Sequence, residues 1–95
     1  MKYYDLVMTK TEVKPITVEV EDLLIGEEVD SATVTHTPPE GSSLAITPTI
    51  ATPYITMEFG PFGVAGTHFV KVQAVGNASP PSKPEVLYQI RVRDA

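Results

Sequence analysis

Gly60-Pro61-Phe62-Gly63-Val64-Ala65-Gly66-Thr67 runs without a break into His68-Phe69-Val70-Lys71-Val72-Gln73-Ala74-Val75, and this stretch decides the fold. Its first half holds three glycines and a proline, residues that permit or fix unusual backbone angles. Its second half puts His68, Val70, Val72 and Ala74 on one face and Phe69, Lys71 and Gln73 on the other. Period-two alternation of this length predicts a half-buried strand rather than a helix. A long strand leaving a glycine corner predicts a sheet protein.

The flanking segments carry the same period. Pro15 opens a strand in which Ile16, Val18 and Val20 share the inward face, and proline is tolerated at a strand's first position. Asp30 to Thr37 forms another, with Ala32 and Val34 inward. Leu44-Ala45-Ile46-Thr47 is predicted as a short third strand and residues 49–53 as a connector. Tyr54 to Phe59 points Ile55, Met57 and Phe59 inward and Tyr54 outward. Glu85 to Arg93 is the last strand, with Val86, Tyr88, Ile90 and Val92 inward. Leu23-Leu24-Ile25 reads as a lid over the end of the core. Pairing Val70 with Ile90, Val72 with Tyr88 and Ala74 with Val86 matches inward residues throughout, whereas a one-residue slip buries Arg91. Six or so strands at this spacing predict an all-β sandwich.

Residues 1–14 read less simply, because Tyr4, Leu6 and Met8 alternate with Asp5, Val7 and Thr9 and both sets are partly apolar. Two readings stand: an extended N-terminal arm that covers a partner surface, or an edge strand of the same domain. The first divides the chain into an arm, 1–14, and a sandwich domain, 15–95.

The whole has 95 residues, room for one core. The absence of cysteine removes disulfides and thiolate metal sites. A net charge of −5 opposes nucleic-acid binding, which needs cations against phosphates. No apolar run approaches the ~20 residues of a membrane span, and Met1-Lys2-Tyr3-Tyr4-Asp5 opens no hydrophobic signal core. Synthesis and folding in a cytoplasm are the expectation.

No stretch carries a catalytic pattern. The corner glycines are followed by a strand and hold no lysine, unlike a phosphate loop. His36 and His68 are the two histidines; neither has a partner at metal-ligand spacing, and His68 reads as a packed, hydrogen-bonded ring. Ser42 and Ser43 lack a nucleophile-elbow pattern. The acidic residues Glu19, Glu21, Asp22, Glu27, Glu28 and Asp30 are the best oxygen donors for calcium, but their spacing follows no loop template and a solvated charge run is the plainer reading. No enzyme, metal or cofactor is expected. The candidate contacts are apolar: Tyr3, Tyr4, Leu6 and Met8 on the arm, and Tyr54, Phe69 and Leu87 on outer sheet faces, which mark an interface if they form one patch.

Three stretches resemble a family of small immunoglobulin-like proteins encoded among the virion structural genes of tailed bacteriophages, some described as fibre–tail adaptors. They are Asp22-Leu23-Leu24 with Glu28-Val29-Asp30-Ser31-Ala32-Thr33-Val34, the corner and strand from Gly60 to Val70, and Ile90-Arg91-Val92-Arg93-Asp94. His68 stands where that family usually has tyrosine, and no tryptophan follows the first strand. The resemblance implies an immunoglobulin-like β-sandwich of about six to seven antiparallel strands. It also implies a non-enzymatic virion component, made in the bacterial host cytoplasm, that docks in several copies on capsid, portal or neck, tail or fibre proteins. The competing expectation is a module recognising a carbohydrate or cell surface through Tyr3, Tyr4, Phe62 and the loop from Asn77 to Pro84.

Overall fold

The computed structural model describes residues 2–20 and 26–94. Seven strands follow in order: β1 (Lys2–Thr9), β2 (Lys14–Glu19), β3 (Val29–Thr37), β4 (Thr49–Ala51), β5 (Tyr54–Phe59), β6 (Gly66–Gly76) and β7 (Glu85–Arg93). They form two sheets, one ordered β1-β7-β6-β3 and the other β2-β5-β4. The all-β sandwich read from the alternation is the observed architecture.

The inward residues meet in one core between the sheets. Ile55 and Phe59 of β5 and Val70 and Ile90 of β6 and β7 are wholly buried, with Val72 and Val86 beside them. β2, β3, β5, β6 and β7 obey their predicted parity, since burying one face of a pleated strand commits every second residue.

The N-terminal segment is not a separate arm. Residues Lys2 to Thr9 form the edge strand of the four-stranded sheet, running parallel to β7 with Leu6 beside Ile90 and Met8 beside Val92. Met8 is 1% exposed in the core and Leu6 packs against it. The gain is burial of Met8 together with main-chain partners for the outer edge of β7. The division at residue 14 therefore gives way to a single domain beginning at β1, and one strand pair is parallel where all were expected to be antiparallel.

Three further differences have local causes. Leu44 to Thr47 forms no ladder; Ile46 is buried, so its side chain is used in the core without strand pairing. The short strand falls instead at Thr49–Ala51, in the expected connector, paired with Thr56 to Tyr54. The β6–β7 register is Val70 to Tyr88 and Val72 to Val86, two residues from the predicted one. The 77–84 loop closes tighter than that register allows, with Gly76 N–H donating to Ser82 O at 2.8 Å and Ala74 N–H to Pro84 O at 3.0 Å. A two-residue shift keeps every inward residue inward, so alternation does not oppose it. The lid assigned to Leu23, Leu24 and Ile25 lies outside the described residues.

The corner before β6 explains its glycines. Gly60 has φ +98°, and a Cβ there would run into the Glu12 carbonyl. Gly63 N–H donates to Lys10 O at 3.1 Å, so the β1–β2 turn rests on the corner. Phe62 turns inward and is 8% exposed.

Candidate functional site

The register sorts the seven contact candidates onto different surfaces. On the outer face of the four-stranded sheet, Tyr3 lies opposite Leu87 and Leu87 opposite Lys71. One step along, Asp5 lies opposite Gln89 and Gln89 opposite Phe69. Phe69 and Leu87 are thus diagonal neighbours across β6 and β7, a separation of roughly 7–8 Å within reach of an aromatic ring. Tyr3, Leu87 and Phe69 form one oblique apolar band, and Val7, opposite Arg91, continues that face.

The band is accessible: Tyr3 is 71% exposed, Val7 48% and Phe69 38%, and Leu87 is half-buried. Polar groups rim it. Lys71 reaches Glu85 at 3.7 Å, and Thr35 and Thr37 of β3 stand opposite Lys71 and Phe69. The band is thus an exposed apolar strip bordered by charges and hydroxyls.

The other candidates lie elsewhere. Met8 and Leu6 face the core and are no free contacts. Tyr4 also points inward; its ring stacks on Tyr88 at 5.2 Å while 44% of it stays exposed at the sandwich edge. Burial, and secondarily the nearby Tyr4 hydroxyl, pushes the Tyr88 phenol up to about 12. Tyr54 belongs to the three-stranded sheet, between Glu19 and Ala51, so it is not contiguous with Phe69 and Leu87. Val7 was missed, although it shares odd parity with Tyr3.

Phe62, expected in a loop-end glycan site, is instead packed against His36 at 4.8 Å and His68 at 4.9 Å. His68 is the packed, hydrogen-bonded ring expected, wholly buried, with Nε2 2.7 Å from Val64 O. Its partner is His36, whose Nε2 lies 2.8 Å from His68 Nδ1. That contact escaped a search by sequence spacing, since the two lie 32 positions apart; the phase of Ala32 and Val34 was the available signal that His36 also faces inward.

Among the described residues no group of three or more acidic or histidine side chains is placed to hold a metal; Glu21 and Asp22 of the acidic run lie outside the described residues. Glu27 is occupied otherwise. Its carboxylate accepts from the Ser82 hydroxyl, from Ser82 N–H at 3.2 Å and from Ala78 N–H at 3.1 Å. The Ser82 hydroxyl and then its amide hold the Glu27 carboxyl below the usual range, with Ala78 adding less. Glu28 and Asn77 bond each other alongside, Glu28 N–H to Asn77 Oδ1 at 3.1 Å and Asn77 N–H to Glu28 O at 3.0 Å. These contacts fasten the 77–84 loop to the bend before β3.

A groove of about 550 Å³ opens on the three-stranded sheet, lined by Pro15, Ala45, Ile46, Thr47, Thr49, Thr56, Met57, Glu58 and Gly60. It contains no histidine and no nucleophile–base pair.

No family model matches the chain, and no protein of curated function matches it in sequence. Among solved structures it is similar to the crystal structure of the Lin-41 filamin domain, with a TM-score of 0.58 and 12% identity over 96% of this chain and 84% of that one. Identity that low speaks to architecture alone. The chain has an immunoglobulin-like β-sandwich fold: the alternation predicted the sandwich, and the sequence resemblance implied its immunoglobulin-like form.

Proposed function

We propose that this protein is a non-enzymatic structural component of a tailed-phage particle, docking on other virion proteins as a capsid decoration or as a head–tail or fibre adaptor. The observation that carries the docking part is the band of Tyr3, Leu87 and Phe69 on one open sheet face. The particle context rests on the sequence resemblance of the 22–34, 60–70 and 90–94 stretches. Several copies bind at repeated positions, and a surface carried on sheet strands suits such repetition because the interface backbone of a preorganised surface moves little on binding.

Particles purified from a host producing the wild-type chain or the variant Phe69→Asp test both parts. Quantitative mass spectrometry of wild-type particles is expected to find the chain at a fixed stoichiometry. Abundance near that of the major capsid subunit marks decoration, and a small fraction of it marks an adaptor. Phe69→Asp, a change at an exposed position, is expected to leave the fold intact and remove the chain from particles. Absence of the wild-type chain from particles overturns the virion reading. Normal incorporation of Phe69→Asp overturns the assignment of the sheet face.

A further inference from the structure

The two histidines form a chain of hydrogen bonds with a single self-consistent proton pattern. Leu44 N–H donates to His36 Nδ1 at 2.7 Å, so that nitrogen is an unprotonated acceptor. A neutral His36 then carries its proton on Nε2, which lies 2.8 Å from His68 Nδ1 and donates to it. His68 in turn carries its proton on Nε2 and donates to Val64 O at 2.7 Å. Every nitrogen of both rings is used once, and a neutral imidazole offers one donor and one acceptor. The rings lie nearly parallel, 8° apart, with His36 5% exposed and His68 fully buried.

An additional proton has no place in this arrangement. On His36 Nδ1 it would face the Leu44 N–H, donor against donor. On His68 Nδ1 it would face the Nε2–H of His36; transferring that hydrogen's role to the other side of the ring again sets a proton against Leu44. The surroundings supply no compensation. Phe62 packs on both rings, Ile90 of β7 stands opposite His68 and Val70 of β6 opposite His36. The titratable group that acts on His36 is His68 itself, and burial first, then that neighbour, pushes the His36 pKa down.

The four groups belong to four segments: β3, β6, the glycine corner and the stretch between β3 and β4. Leu44 begins the stretch whose Ala45, Ile46 and Thr47 wall the groove on the three-stranded sheet. That stretch is held near this end by the Leu44 amide and, further along, by burial of Ile46.

We propose that Leu44, His36, His68 and Val64 form an acid-released latch, in which proton uptake by the histidine pair breaks the Leu44 bond and frees the 44–47 wall of the groove while the rest of the sandwich stays folded. The latch is closed at neutral pH and opens as pH falls below the ordinary imidazole range, ~6.5. The opened state takes up a proton at an ordinary pKa, so its population grows about tenfold per pH unit below that value.

Amide hydrogen exchange on the wild-type chain, between about pH 7 and pH 5, reads this directly once rates are corrected for intrinsic exchange. The expected result is a fall in the Leu44 protection factor of at least about tenfold, while the Ala74 amide, bonded to Pro84 O near the other end of β6, keeps its own. Imidazole nitrogen shifts are expected to move from the neutral pattern in proportion to the opened fraction over the same pH range. The double variant His36→Asn/His68→Gln, which removes both titrating rings, is expected to abolish the pH dependence of the Leu44 protection. Protonation of either ring with Leu44 still protected overturns the latch. So does equal loss at Leu44 and Ala74, which is global unfolding, and so does a Leu44 protection factor that is the same at both ends of the pH range. Should the double variant fail to fold, the wild-type exchange and nitrogen shifts decide by themselves.

Discussion

The ring of Phe59 stands edge-on to the ring of Tyr88, centroids 5.1 Å apart and planes at 85°, and this contact joins the centre of the three-stranded sheet to the four-stranded one. Such edge-to-face pairs add about 0.5–1.5 kcal/mol to the area they bury. Phe59 is wholly buried, so Phe59→Ala is expected to cost about 3–5 kcal/mol. Urea unfolding checks it: the midpoint should fall with the slope unchanged.

Met8 makes β1 part of the core. Met8→Ala is expected to destabilise by about 2–5 kcal/mol, whereas Tyr3→Ser, at an exposed position on the same strand, should stay within about 0.5 kcal/mol. Deleting residues 1–10 is expected to lower the unfolding midpoint further than Met8→Ala, because it also leaves the edge of β7 without main-chain partners. A deletion as stable as the full chain would contradict the edge-strand role.

Tyr88 provides a titration with a defined sign. Its phenol is raised from 10.0 to about 12, first by burial and then by Tyr4. The folded chain therefore keeps a proton that the unfolded chain gives up, and stability is present below about pH 10 and lost as pH rises toward 12. Spectrophotometric titration should show a late-ionising tyrosine that vanishes in Tyr88→Phe and persists in Tyr4→Phe, since burial is the larger cause.

Glu27 gives the opposite slope. Its carboxyl is lowered from 4.5 by the Ser82 hydroxyl and amide, so the loop fastening it provides is present above that value and fades as pH falls through the lowered one. Glu27→Ala is expected to speed amide exchange at Ala78 and Ser82 while leaving Val72 protected. Unchanged exchange at Ser82 would show that the loop is held by other contacts.

Gly60 and Gly63 separate backbone strain from collision. Both have positive φ, +98° and +73°, but a Cβ on Gly63 meets open space while one on Gly60 meets the Glu12 carbonyl. Gly63→Ala is expected to cost on the order of 1 kcal/mol from conformation alone, and Gly60→Ala more, about 2–3 kcal/mol or above. Thermal melts of the two variants give the comparison, and an equal cost would refute the close approach.

The sandwich was legible in the chain because period two is written residue by residue. His68, Val70, Val72 and Ala74 against Phe69, Lys71 and Gln73 determine a strand and its faces without reference to any other segment, and all four inward residues are buried. Parity is a local property of the backbone. Pairing is not: Val70 opposite Tyr88 and Val70 opposite Ile90 bury the same side chains, and the closure of the 77–84 loop on Gly76 and Glu27 chose between them. Likewise the alternation of Tyr4, Leu6 and Met8 suited an arm or an edge strand equally, until the free edge of β7 supplied partners. The candidate surface followed from these choices, since the register placed Tyr3 beside Leu87 and assigned Tyr54 to the other sheet. The meeting of His36 with His68 belongs to the same class, for two strands far apart in sequence become neighbours only when the sheet closes. Sequence determined which residues turn inward, by alternation under burial; the tertiary structure decided which of them touch, because contact depends on loop closure and sheet order that no single strand encodes.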